Sequence, residues 1–187
     1  MDIIKFSGYI EKLKDLDRTG WTRAGIPNPE SVADHSFELA ILVMVLAADS
    51  NLDQLKVIKM ALIHDIGEAI IGDIVTEHDR KVNEHLQKEK ATAENEAVGK
   101  VFSLTHNDEY LELFKEFEKN ETPEAKFVKQ MDKLQMAIQA YKYENKHGTD
   151  LEDFYQTSFS KVKDGELRKI LDKVYSVRPY KTKKSNP

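Results

Sequence analysis

An all-α domain is what this sequence predicts, and three observations carry the prediction. Apolar residues recur at three- and four-residue steps along nearly the whole chain, and no stretch alternates apolar and polar with the period of two that marks a half-buried strand. Helix starts and stops are written where the periodicity needs them, with Ser31 and Pro123 at starts and Gly148 at an end. The 187 residues are 40% hydrophobic and 33% charged, the balance of one globular domain with a full core.

The first helix is predicted to use Ile3, Phe6, Ile10 and Leu13 as its apolar stripe. Asp17 to Pro29 contains two glycines and two prolines and reads as a loop. Ser31 caps a second helix running to about Asp49, with Asp34 three residues on as a short form of the capping box; His35, Leu39, Leu42 and Leu46 then follow at helical steps. A third helix is predicted from about Asp53 to Ala69. On it Leu55, Ile58, Leu62 and Asp65 share one stripe and Val57, Met60 and His64 the next, so both His64 and Asp65 face inward. Gly72-Asp73 breaks the pattern. Glu77 to Lys100 is highly charged with few apolar anchors (Val82, Leu86, Val98) and reads as a mobile loop and an exposed helix, weakly held as a lid would be. A helix over Glu109 to Lys119 follows, and Pro123 opens a long one whose core stripe is Phe127, Met131, Leu134, Ile138 and Tyr141, with Asp132 at its edge. Shorter helices around Leu151 to Val162 and Gly165 to Tyr175 complete a bundle over residues 1–178, and 179–187 reads as a disordered basic tail.

Composition excludes several function classes. There is no cysteine, so neither a disulfide framework nor a thiolate zinc site is available, and a cytoplasmic protein is expected. The N-terminus lacks the pattern of a signal peptide and no apolar run reaches membrane-spanning length, so no membrane partner is expected. A net charge of −5 argues against binding a nucleic-acid polymer, which needs a basic face.

The chemistry concentrates at His64-Asp65, a dipeptide that closes the apolar run Met60-Ala61-Leu62-Ile63, with Glu68 one turn on. His35 and Asp132 also fall where amphipathic helices bury hydrocarbon. An unpaired interior carboxylate costs several kcal/mol, so two histidines and two aspartates on inward stripes are explained together by a shared cation. Imidazole and carboxylate ligands suit Mn²⁺, Co²⁺, Fe²⁺, Ni²⁺ or Zn²⁺ better than Ca²⁺. The remaining histidines have plainer readings: His147 as a helix-end cap, and His78, His85 and His106 as solvated side chains. Arg23 and Lys133 read as surface charges within reach of a phosphate role.

His35, His64-Asp65 and Asp132 reproduce the H…HD…D signature of the HD-domain phosphohydrolases. The words Arg18-Thr19-Gly20-Trp21, Pro29-Glu30-Ser31-Val32-Ala33-Asp34-His35-Ser36, His64-Asp65-Ile66-Gly67-Glu68-Ala69, Gly72-Asp73 and Lys129-Gln130-Met131-Asp132-Lys133-Leu134 narrow it. Over about Leu16 to Lys142 the chain resembles the 5′-deoxynucleotidase branch, which includes HD domain-containing protein 2 of eukaryotes and its archaeal relatives. The resemblance implies an HD-domain helical bundle that hydrolyses 2′-deoxynucleoside 5′-monophosphates with a divalent cation, Mn²⁺, Co²⁺ or Mg²⁺ foremost and Zn²⁺, Ni²⁺ or Fe²⁺ also compatible. It implies that His35, His64, Asp65 and Asp132 hold the metal, that Glu68 and Asp73 are catalytic, and that Arg18, Trp21, Asp65, Asp73 and Thr76 contact the substrate. It also implies a homodimer. Two departures stand out: in the bacterial form the tryptophan follows the arginine directly, whereas Thr19-Gly20 intervenes here, and Ile74-Val75-Thr76 lacks that form's prolines.

Glu68 lies one turn after His64, so its carboxylate can face a metal-bound water as general base; with Asp73 it could also hold a second Mg²⁺-like ion. Rival activities of the family leave different marks. Tetraphosphate hydrolases pair Glu with Asp where this chain has Glu68-Ala69, triphosphohydrolases carry His in place of Glu68, and cyclic-dinucleotide phosphodiesterases need a Gly-Tyr-Pro motif that is absent. Monophosphate hydrolysis leads. The alternatives are another nucleotide or phosphodiester substrate, or a non-catalytic nucleotide-binding module with a closed, structural metal.

Overall fold

The computed structural model describes residues 1–74 and 84–180, the side chains of 84–88 excepted, and among these it contains ten α-helices, one short 3₁₀ turn and no strand. The helices are α1 (Ile3–Lys14), α2 (Thr19–Arg23), α3 (Val32–Leu46), α4 (Gln54–Ile63), α5 (Glu68–Ile71), α6 (Glu84–Phe102), α7 (Glu109–Lys119), α8 (Pro123–His147), α9 (Glu152–Lys161) and α10 (Gly165–Ser176). The chain is all-α, as its periodicity predicts. α3, α4 and α8 pack on one another at the centre, where Leu39, Val43, Val57, Met60, Met131 and Leu134 are fully buried. α7, α9 and α10 close over α8.

The starts of the central helices follow from local chemistry. Ser31 Oγ accepts from the Asp34 amide at 3.1 Å while Asp34 Oδ2 accepts from the Ser31 amide at 3.0 Å, so the capping box is closed in both directions. Thr122 caps α8 through the Ala125 amide, and Pro123 occupies the first turn, where a missing N–H costs nothing. At its far end Gly148 takes the left-handed conformation.

Four expectations need correction. The predicted third helix stops at Ile63 rather than running to Ala69; residues 64–67 form a turn and α5 adds one further helical turn. Gly67 permits this, because a Cβ there would stand 3.0 Å from Val98 Cγ2 on α6. Gly72, at φ +80°, then ends α5. Within α4 the buried face is Val57, Met60, Ala61 and Ile63, whereas Leu55 and Leu62 are exposed because they lie on the opposite side of the helix from Val57 and His64.

The loop predicted over Asp17 to Pro29 contains α2. Asp73 Oδ2 accepts from the Thr19 amide at 2.7 Å, a long-range cap that local sequence does not reveal. An antiparallel bridge between Asp17 and Ser31 closes the base of this segment. The predicted exposed helix is α6, and its C-terminal half is packed: Ala97, Val98, Val101 and Phe102 are buried against the core. The loop part of the lid reading falls on residues 75–83 and lies outside the described residues. At the C-terminus, buried Arg178 pairs with Glu144, Asp150 and Glu152, and the Tyr180 hydroxyl donates to the Gly148 carbonyl. Of the predicted tail, 181–187 lies outside the described residues.

Candidate metal centre and substrate cleft

Two helices and one turn bring the predicted ligands together. His35 comes from the second turn of α3, Asp132 from α8, and His64 and Asp65 from the turn where α4 stops. His35 Nδ1 lies 2.8 Å from Gln135 Oε1 and His64 Nδ1 lies 2.9 Å from the Ala61 carbonyl, so each ring is anchored through Nδ1 and turns Nε2 toward the cluster. The two Nε2 atoms are 3.3 Å apart. Asp65 Oδ2 stands 3.0 Å from His64 Nε2 and 3.9 Å from His35 Nε2, and Asp132 Oδ1 stands 3.3 Å from His35 Nε2.

Acceptors converging at such distances repel one another unless a cation lies among them. Asp132 Oδ1 is moreover buried without a hydrogen-bond partner. Two neutral imidazoles and two carboxylates, each imidazole anchored by its other nitrogen, make a donor set that fits a divalent transition metal. With no cation bound, a proton on His64 takes the place of the metal's charge: burial favours protonation of Asp65, but a protonated His64 and Arg18 outweigh it and hold the carboxyl below its ordinary range. Asp132 is likewise held low against burial, chiefly by Lys133. A bound metal would displace the His64 proton.

The cluster opens onto a cleft of about 720 Å³ whose wall includes Arg18, Glu68, Asp73, Lys133, Met136 and Phe154. Arg18 Nη1 donates to Asp65 Oδ2 at 3.0 Å, and Lys133 Nζ lies 2.9 Å from Asp132 Oδ2, so each metal-side carboxylate is backed by a cation that also faces the cleft. Glu68 opens α5, is 8% exposed, and has Oε2 buried without a partner. Burial first, then the charges of Asp65 and Asp73, push its carboxyl up to about 10 in the absence of a cation.

Asp73 contributes to the wall and also accepts from the Thr19 amide, locking α2 beside the metal centre. The set of mutually close ligand atoms is His35, His64 and Asp132; Asp65, Glu68 and Asp73 stand outside it, Asp65 reaching it through Oδ2 at 3.0 Å from His64 Nε2. Trp21 is 1% exposed: its indole stacks on Phe154 with ring centroids 4.2 Å apart and its Nε1–H donates to Glu30 Oε1 at 2.9 Å. Its contribution to the cleft is therefore the edge of a buried aromatic stack. Thr76 and His78, and the side chain of His85, lie outside the described residues. His147 ends α8 with Nε2 buried and without a partner.

Several wall residues were not singled out by sequence. Phe154 and Thr157 come from α9 and Lys90 from α6, where it donates to the Ile74 carbonyl at 2.7 Å. No local signal marks them. Gln135 had one, since it stands one helical turn after Asp132 and so shares its face.

Residues 10–175 match the family model described as HD domain. The chain is similar to 5′-deoxynucleotidase HDDC2 of Xenopus laevis, 34% identical over 178 residues that cover 94% of this chain and 87% of that protein. It is also similar to 5′-deoxynucleotidase hdd1 of Schizosaccharomyces pombe, 38% identical over 149 residues covering 78% and 74%. Among solved structures, a conserved hypothetical protein from Pyrococcus furiosus matches with a TM-score of 0.75 at 37% identity, covering 93% of this chain and 99% of that one.

Proposed function

The chain belongs to the HD-domain family, and from that premise we propose that it is a 5′-deoxynucleotidase, hydrolysing 2′-deoxynucleoside 5′-monophosphates to nucleoside and phosphate. The observation that carries the reading is the convergence of His35 Nε2, His64 Nε2, Asp65 Oδ2 and Asp132 Oδ1 at the floor of a cleft that also presents Arg18 and an unpartnered Glu68. These four side chains would hold the cation. Once bound, a divalent metal supplies Lewis acidity toward a phosphoryl oxygen and lowers the pKa of a coordinated water.

The protein's own groups do the rest. Arg18 and Lys133 give an acidic chain a locally positive wall for a dianionic phosphate. Glu68 Oε2, with no competing hydrogen bond, takes the proton of the attacking water as the new P–O bond forms. It returns that proton to the 5′ oxygen as the ester bond breaks. Asp73 accepts from a sugar hydroxyl, and the Trp21–Phe154 stack forms the apolar side against which the nucleoside rests. Thr76 is assigned a substrate contact on resemblance alone. Mn²⁺, Co²⁺ or Mg²⁺ is the cation proposed; the ligands are equally compatible with Zn²⁺, Ni²⁺ or Fe²⁺.

A second copy of the chain is the proposed partner, and the outward face of α3 favours it, because Phe37, Ile41, Met44 and Val45 are all exposed there. Among the described residues no helix is long and apolar enough to cross a membrane. A cytoplasmic setting is proposed from the cysteine-free composition. The decisive test is phosphate release from ribo- and deoxynucleoside mono-, di- and triphosphates with each metal in turn. Release confined to di- or triphosphates, or none with any metal, would overturn the reading.

A further inference from the structure

Both histidine ligands are useful only if Nε2 is free of hydrogen, and for His64 the Ala61 carbonyl ensures this because it can only accept. His35 faces a side-chain amide, which could present either end. The orientation of that amide is decided further out. Gln135 Nε2 lies 3.2 Å from Glu30 Oε2 and 3.3 Å from Glu38 Oε2, two carboxylate oxygens that accept and do not donate. The amide nitrogen is thereby turned away from the metal centre, and Oε1 is left facing His35 Nδ1 at 2.8 Å. An oxygen there demands a proton on Nδ1, and a proton on Nδ1 leaves Nε2 bare.

The two carboxylates are themselves held. Glu30 accepts from Trp21 Nε1 at 2.9 Å and its backbone amide donates to the Tyr143 hydroxyl at 2.6 Å, while Glu38 pairs with Lys142 at 2.5 Å. Gln135 is fully buried and Glu30 nearly so, so water does not scramble the arrangement. Gln135 and Asp132 also share one face of α8, which makes this helix the source of one ligand and of the group that orients another.

We infer that Gln135 is a positioning residue that fixes His35 as the Nδ1-protonated tautomer, with its own orientation dictated by Glu30 and Glu38. The inference rests on the metal-centre reading above. On this account Trp21 influences the site through Glu30, besides lining the cleft.

The test is Co²⁺ titration of the metal-free protein, followed by its visible absorption, on wild type, Gln135→Leu and the triple variant Glu30→Gln/Glu38→Gln/Gln135→Glu. The leucine keeps the bulk but removes the acceptor, and Co²⁺ affinity should fall roughly 10- to 100-fold, with kcat at saturating metal changed far less. The triple variant keeps an acceptor toward His35 and sets amide donors at both positions, 30 and 38, that face it, so it should bind within a few-fold of wild type. Equal affinity for wild type and Gln135→Leu, or an equal loss in both variants, would overturn the inference. Imidazole nitrogen NMR on metal-free wild type in mildly alkaline buffer requires no substitution. It should find the His35 proton on Nδ1, and a proton on Nε2 would refute the account. A wild type that binds no Co²⁺ would overturn the proposed function, and this inference with it.

Discussion

Glu68→Gln should make the metal-free protein more stable at neutral pH while removing most of its activity. Burial and the neighbouring carboxylates Asp65 and Asp73 raise the Glu68 carboxyl from its ordinary 4.5 to about 10. A raised folded-state value means that the folded chain keeps a proton which the unfolded chain releases. The associated stability is fully present below pH 4.5 and is lost as pH climbs toward 10. At about 1.4 kcal/mol for each pH unit, the loss by pH 7 is roughly 3 kcal/mol. Glutamine mimics the protonated acid at every pH and escapes it. For a domain of this size each kcal/mol moves Tm by about 2–4 °C, so the variant should melt roughly 6–12 °C above wild type at pH 7 in chelator. The difference should vanish near pH 4 and widen toward pH 9. Thermal unfolding followed by circular dichroism across that range reads it directly. A gap that does not change with pH, or a variant that melts below wild type at pH 7, would refute the argument. With metal added the gap should narrow, because a cation beside Asp65 favours the Glu68 carboxylate. The metal-loaded variant should lose about 10²–10⁴-fold in kcat while retaining metal.

Three further outcomes follow from the same geometry. Asp132→Ala should lose Mn²⁺ or Co²⁺ and turnover with its helices intact, and should lack the stabilisation of about 2.7 kcal/mol that wild type gains at a hundredfold excess of metal over Kd; wild-type metal content after chelation and reconstitution would sink the assignment. Wild type should show a higher kcat/KM for dAMP than for AMP, and Trp21→Phe, which keeps an aromatic ring but loses the N–H to Glu30, should retain that preference; equal values in wild type would refute deoxy selection. Arg178→Met leaves Glu144 buried without its partner and should cost about 3–5 kcal/mol in urea unfolding, so an unchanged midpoint would show that the C-terminal ion cluster contributes nothing.

The candidate ligands were legible in sequence because metal binding requires particular residue types, and polar residues such as His35, His64 and Asp132 stand out on apolar stripes. Helix identity was legible for the same periodic reason, and the Ser31 and Pro123 starts because capping is local. What failed to show were features created by distant contacts. α2 forms around Gly20 because a carboxylate more than fifty residues away caps it, and nothing between Asp17 and Pro29 announces that. Phe154 becomes a cleft wall only when α9 folds over α8 and meets Trp21.

The end of α4 shows why the misreading fell where the chemistry lies. A helix continued to Ala69 would keep His64 and Asp65 on adjacent stripes, a full helical step of rotation apart. Ending the helix at Ile63 frees that geometry, and Asp65 Oδ2 comes to 3.0 Å from His64 Nε2. The same turn restarts a helix at Glu68, whose carboxylate thus stands in the first turn of α5 beside the metal centre. Gly67 is the residue that allows the restart against Val98, and Gly72 is the one that ends it and delivers Asp73 to Thr19. Local propensity favoured one long helix; the site needed it broken. Gly67→Ala sets a methyl 3.0 Å from Val98 Cγ2 and 3.4 Å from the Glu94 carbonyl, so a few tenths of an ångström must be found between the 64–68 turn and α6; the variant should lose kcat, Gly67→Ala/Val98→Ala should recover it, and an unchanged kcat in the single variant would show that Val98 yields and the turn does not.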